Sequence, residues 1–131
     1  MKRGKPQPPP PARPRVLLVD DEPALLDAMQ QGMTAEFDVE TAKSAAEAET
    51  RIGKQSFAVL ICDHMLPGEA GLDFLVRMRE LHPDMRRILL TGYINPELIS
   101  RSVAVAELSA CLLKPAHAAE LSAAVRAAIA K

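Results

Sequence analysis

The chain has 131 residues, 48% hydrophobic but only 3% aromatic, which suits one domain whose core is aliphatic and alanine-rich. Lys and Arg number 16 against 17 Asp and Glu, a formal charge of −1, which argues against the basic field of a nucleic-acid or anionic-membrane binder. No apolar run approaches the roughly 18 residues of a membrane span, the basic start MKRGK meets prolines rather than a signal core, and Cys62 and Cys111 lack CxxC or zinc-ligand spacing. The expectation is a cytoplasmic protein with two buried free thiols.

Residues 1–14, MKRGKPQPPPPARP, stand apart, because consecutive prolines lack amide donors and favour an extended chain. They read as a tail or interdomain linker. From Arg15 onward short apolar runs alternate with longer segments of helical character. RVLLV (15–19) reads as a strand, and a helix over 23–34 follows, with Pro23 in its first turn. FDVETA (37–42) alternates in polarity as an edge strand would, and Ser44 with Glu47 resembles a capping box opening a helix over 44–55. FAVLIC (57–62) is a further strand, and a helix over 71–82 is closed by Pro83. RRILLTG (86–92) and SACLLK (109–114) are the last two strands, with helices over 95–106 and 117–130. In the final helix Leu121, Val125, Ala128 and Ile129 form an apolar stripe.

VLLV, AVLIC and ILL are apolar on consecutive residues, as strands covered on both faces are. Five such strands alternating with five helices predict an α/β fold, a doubly wound parallel sheet. Ligands bind such sheets outside the carboxyl ends of the strands. Those ends carry Asp20 and Asp21, Asp63, Thr91 and Lys114. Converged carboxylates repel unless a cation joins them, and a hard oxygen set of this kind suits Mg²⁺. A lysine and a hydroxyl beside that cation are what a phosphoryl group needs, with Asp63 as the nucleophile. The loop MLPGEAG after Asp63 supplies turn residues through which backbone groups can approach closely. Each residue also has a plainer reading: Asp-Asp-Glu-Pro as a helix start, Thr91-Gly92 as a turn, Lys114-Pro115 as an exposed loop.

Taken together, VLLVDDEP, ICDHMLPGEAGL, ILLTGY and LLKP resemble, in order and spacing, the receiver domain of two-component response regulators. The resemblance covers essentially all of the chain after the tail, so residues 15–131 are taken as that domain. It implies a flavodoxin-like sheet of strand order 2-1-3-4-5, with Asp63 accepting a phosphoryl group from a histidine kinase or histidine phosphotransfer protein. It further implies Mg²⁺ held by Asp20, Asp21, Asp63 and the backbone carbonyl of Met65. By the same carry-over Thr91 and Lys114 engage the phosphoryl group, and the face of the fourth helix, fifth strand and fifth helix signals to a downstream protein target or effector domain. A phosphorylation-dependent dimer belongs to the same set of partners. The chain would catalyse only its own phosphorylation and dephosphorylation.

Two positions depart from the family's pattern. Cys111 stands where an aromatic switch residue is usual, and Tyr93 is the alternative residue to cover the site, against a plain loop-aromatic reading. Ala106-Glu107 replaces a common Gly-Ala, which bears on the end of the fourth helix. His64 is expected to face away from its neighbour Asp63, and His82 and His117 to be exposed helix-end residues. After Lys114-Pro115 only the final helix follows, which fits a stand-alone regulator or the receiver piece of a hybrid kinase. A small Mg-dependent aspartyl phosphatase would want a second acid two residues after Asp63, where Met65 stands. A flavin or nucleotide module would want a phosphate cradle where Asp20, Asp21 and Glu22 stand.

Overall fold

Each apolar run forms a strand of one parallel sheet in the computed structural model, which describes residues 13–92 and 95–130. Most of the proline-rich segment (residues 1–12) and Tyr93 lie outside the described residues. The strands are β1 (Arg15–Val19), β2 (Asp38–Ala42), β3 (Val59–Asp63), β4 (Arg86–Thr91) and β5 (Ala110–Leu113). Their order across the sheet is β2-β1-β3-β4-β5, the predicted 2-1-3-4-5. The alternating strand β2 is indeed an edge. The helices are α1 (Pro23–Met33), α2 (Ala45–Lys54), α3 (Gly71–Leu81), α4 (Pro96–Ala106) and α5 (Ala118–Ile129).

The sheet buries both faces because its strands are apolar on both. Val16, Leu18, Val59, Ile61, Ile88 and Leu90 pack under α1 and α5 with Leu26, Met29, Met33, Leu121 and Val125. Leu17, Val19, Leu60, Cys62 and Leu89 face the other way, against Ala48 and Ile52 of α2 and Phe74, Leu75 and Met78 of α3. Each fully buried large aliphatic or Phe side chain contributes about 1.5–3 kcal/mol by leaving water. This two-sided packing fixes the strand register, because a one-residue slip would send each side chain to the wrong layer.

Local signals set the helix ends. Ser44 Oγ accepts from the Glu47 N–H at 3.1 Å, while Glu47 Oε1 reaches back to the Lys43 N–H at 3.1 Å, one residue earlier than a capping box would have it. Gly32 sits inside α1 because α5 crosses it there: a Cβ at this position would lie 2.4 Å from the Cβ of Ala118. α4 ends at Ala106, and Glu107 takes a left-handed φ of 48° while the Leu108 N–H bonds to the Val103 carbonyl at 3.1 Å. The closure that glycine normally makes is thus made by a glutamate. One expectation needs correcting: Ile129 is not on the buried stripe of α5 but 38% exposed. It lies in the last turn, beside Pro14 and Phe37 at the margin of the sheet.

Candidate functional site

The carboxyl ends of β1, β3, β4 and β5 form one rim, and four of the expected side chains meet there. β3 begins two residues later than its apolar run suggests and takes in Asp63, paired with Leu90. The carboxylate therefore belongs to the strand, and its backbone is fixed by the ladder. The next residue extends the hold, since the His64 N–H bonds to the Leu90 carbonyl at 2.8 Å.

Asp20, one residue beyond β1, is tied to the sheet by its N–H, which donates to the Ala42 carbonyl at 3.1 Å. Asp20 and Asp63 are buried and Asp21 is exposed. One carboxylate oxygen from each of the three lies within 4.8 Å of the others. Lys114, just past β5, donates from Nζ to Asp20 Oδ2 and to Asp63 Oδ2, both at 3.2 Å. The Lys114 N–H bonds to the Thr91 carbonyl at 2.8 Å, so the backbone of the fourth strand end positions the lysine of the fifth. Thr91 itself is buried at the end of β4.

The charges shape one another. Burial raises the pKa of the Asp20 carboxyl and the Asp63 charge raises it further; the Glu22 N–H at 3.0 Å and Lys114 offset this only in part. Burial alone would lower the Lys114 ammonium, but the charges of Asp20 and Asp63 outweigh it and the net shift is upward. Three carboxylates against one ammonium leave the rim negative. Oxygen donors at this spacing, partly exposed through Asp21, fit a hard divalent cation such as Mg²⁺.

The segment after Asp63 folds into a small antiparallel hairpin, Met65–Leu66 against Glu69–Ala70, turned at Gly68 with a φ of +83°. The Met65 N–H points to Asp63 Oδ1 at 3.4 Å, and its side chain is 62% exposed. Where the hairpin enters α3, a Cβ on Gly71 would lie 1.9 Å from the Asp63 carbonyl oxygen. Glycine is required there for the helix start to approach the strand end.

Cys111 is half-buried against the core under α2 and α3, in register with Leu89, and burial pushes its thiol pKa up. Cys62 is wholly buried and its thiol is pushed well up, by burial first and by the nearby carboxylates second. Both cysteines are free. His82 and His117 are exposed at helix ends, as expected.

Sequence reasoning missed Arg77, Glu69 and Glu49, which join the hairpin to α3 and α2. The Arg77 guanidinium bonds both oxygens of Glu69 at 2.8 Å and also binds Glu49. It also missed Arg87, a buried arginine on β4 whose Nε donates to the Ala106 carbonyl at 2.8 Å and whose terminal nitrogens reach the carbonyls of Met85 and Glu107.

A sheet of this order with acids at the first and third strand ends and a lysine at the fifth defines a class, and the family match agrees. The response regulator receiver domain matches residues 16–126, and the chain belongs to that family. Over 100 residues it is 39% identical to the hydrogenase transcriptional regulatory protein HoxA of Cupriavidus necator, covering 76% of this chain and 21% of that protein. Over 110 residues it is 36% identical to the photosynthetic apparatus regulatory protein RegA of Cereibacter sphaeroides, covering 82% and 58%. A CheY-like response regulator receiver domain protein from Methanospirillum hungatei has a TM-score of 0.83 at 30% identity, over 91% of this chain and 95% of that one. The chain spans about a fifth of the length of HoxA. Among the described residues no helix is long and apolar enough to cross a membrane.

Proposed function

We propose that this chain is a phosphorelay switch in which Asp63 accepts a phosphoryl group from a histidine kinase or histidine phosphotransfer protein. The observation that carries the reading is the Lys114 ammonium bridging Asp20 and Asp63 at 3.2 Å, beside three carboxylates whose oxygens lie within 4.8 Å. Asp20, Asp21, Asp63 and the Met65 carbonyl would hold Mg²⁺, which when bound supplies positive charge to the oxygens of the incoming phosphoryl group. Asp63 is held by the β3–β4 ladder with its carboxylate at the rim, ready to act as nucleophile. Lys114 gives up part of its contact with Asp63 to pair with a phosphoryl oxygen, and the Thr91 hydroxyl donates a hydrogen bond to another.

The output in this reading is protein binding rather than turnover of an external substrate. Val103 and Val105 of α4 and Leu113 of β5 are exposed apolar side chains on elements of the face the family uses for signalling, and a downstream effector or a second copy of the chain would cover that face. With Cys111 in place of an aromatic, the coupling from Thr91 to that face runs without the usual rotating ring. Residues 15–131 act as the receiver unit, with residues 1–14 as tail or linker, in the cytoplasm. HoxA and RegA are named as regulatory proteins, which supports an output in gene regulation exerted through an effector.

Intact-protein mass spectrometry after incubation with acetyl phosphate and Mg²⁺ tests the reading. One phosphoryl group should appear in the wild type, and none in Asp63→Asn or in the presence of chelator. Equal labelling of Asp63→Asn would remove Asp63 as the acceptor.

A further inference from the structure

The hairpin that carries Met65 rests on a charged tripod with no part in the acceptor chemistry just described. Arg77, on the second turn of α3, bonds Glu69 through two parallel contacts, Nη1 to Oε2 and Nη2 to Oε1, each 2.8 Å long. The same guanidinium holds Glu49 of α2 through Nε at 3.1 Å and through Nη2. Its Cζ lies 5.5 Å from the ring centre of Phe74, which is fully buried. Arg77 is thus fixed by the core on one side and by α2 on another, and it grips Glu69 in a forked geometry that a lysine cannot reproduce. Glu69 is paired in turn with Leu66 across the hairpin, and Met65 with Ala70. A chain of contacts runs from the α2–α3 face to the backbone beside Asp63.

We infer that Arg77 is a positioning residue for the metal site: through Glu69 it fixes the hairpin and so the Met65 backbone relative to the Asp63 carboxylate. This rests on the proposed Mg²⁺ reading. Residues that orient ligands from outside the donor set typically change metal affinity by about tenfold or more when removed. The charge of Arg77 works the other way. Removing a cation near a negative rim, by Coulomb's law alone, should tighten Mg²⁺ binding, and removing the anion Glu69 should loosen it. Positioning predicts loosening in both cases.

Mg²⁺ titration of the whole chain, followed by calorimetry and by the NMR shifts of the Asp63 and Met65 amides, separates these accounts. Arg77→Ala and Glu69→Gln should each weaken Mg²⁺ by roughly tenfold, with Arg77→Lys failing to restore it. Arg79→Ala removes the same charge two residues along, where the side chain pairs with Glu107 instead, and should stay within about twofold of wild type. If Arg77→Ala binds Mg²⁺ as tightly as wild type or more tightly, the positioning role is overturned. Should Arg77→Ala not fold, Glu69→Gln with wild-type affinity overturns it equally. A wild type that takes up no Mg²⁺ would bring down the metal reading itself, a result distinct from a wild type that binds and variants that match it.

Discussion

The two ends of the sheet both bury charge and treat it in opposite ways. At the carboxyl end, Asp20 and Asp63 share one ammonium, Lys114, with Asp21 close by, so the negative charge is incompletely matched. At the amino end, Arg87 is equally buried, yet its guanidinium is met by the carbonyls of Ala106, Met85 and Glu107. Burial lowers the Arg87 pKa from its usual value. In the proposed reading one end is left open to a cation and an anionic group; the other is closed on itself. An unmatched buried charge is costly in an isolated protein and useful to one that binds.

Substitutions at the two ends can sharpen or break this contrast. The largest effect is expected from Gly71→Ala, whose Cβ would collide with the Asp63 carbonyl. Backbone must move at the proposed acceptor itself, so chemical denaturation should show a loss of about 3 kcal/mol, and acetyl phosphate should label the protein poorly. Arg87→Met keeps most of the volume but strips donors from buried carbonyls. A destabilisation of about 3 kcal/mol is expected, with labelling of the folded fraction unchanged; a loss of labelling would mean that the closed end is not independent of the open one.

Asp20→Asn should act in the other direction. Because the folded-state pKa is raised above the ordinary 3.8, the folded protein holds that proton more tightly than the unfolded chain does. Stability therefore falls as pH climbs through the window from 3.8 to the raised value, and the deficit persists at neutral pH. The variant should melt higher than wild type without metal at neutral pH, should lose that part of the pH dependence, and should gain little from Mg²⁺; melting curves across pH, with and without Mg²⁺, would measure all three. The smallest effect is expected of Glu107→Gly. It relieves a left-handed glutamate at the cost of an exposed ion pair with Arg79, a net gain of about 0.5 kcal/mol in denaturant unfolding.

How much of this could be read beforehand follows from the range of each interaction. The strands were legible because burial on both faces writes itself as consecutive apolar residues, and the acids and lysine were legible because each directly ends such a run. Gly32 carried a usable signal, since a glycine inside a helical pattern often marks close approach, and Ala118 is what approaches. Arg87 carried a misleading one: as the second of two arginines opening a strand it reads as solvent-facing, whereas in the fold its Nε meets the carbonyl of Ala106 at the end of α4, 19 residues on. The Arg77 contacts span 8 and 28 residues, and no local pattern announces them. Glu107 could not be foreseen in a left-handed turn, because setting Ala106-Glu107 against the family's Gly-Ala puts the missing glycine at Ala106, one residue before the left-handed position.

The tethering of α4 at its last carbonyl has a mechanical meaning. Arg87 and the Leu108 N–H grip the helix where it ends, and Arg79 adds a bond to the Val105 carbonyl. Its other end, beginning at Pro96, follows closely on Thr91. Eleven residues make a rod about 16 Å long, and in the proposed phosphorelay reading it would hinge at the end far from the carboxylate rim and be driven at the end near it. A tilt of about ten degrees would carry the near end through roughly 3 Å, a stroke comparable to a side chain's width, while leaving the fulcrum and the sheet beneath it in place.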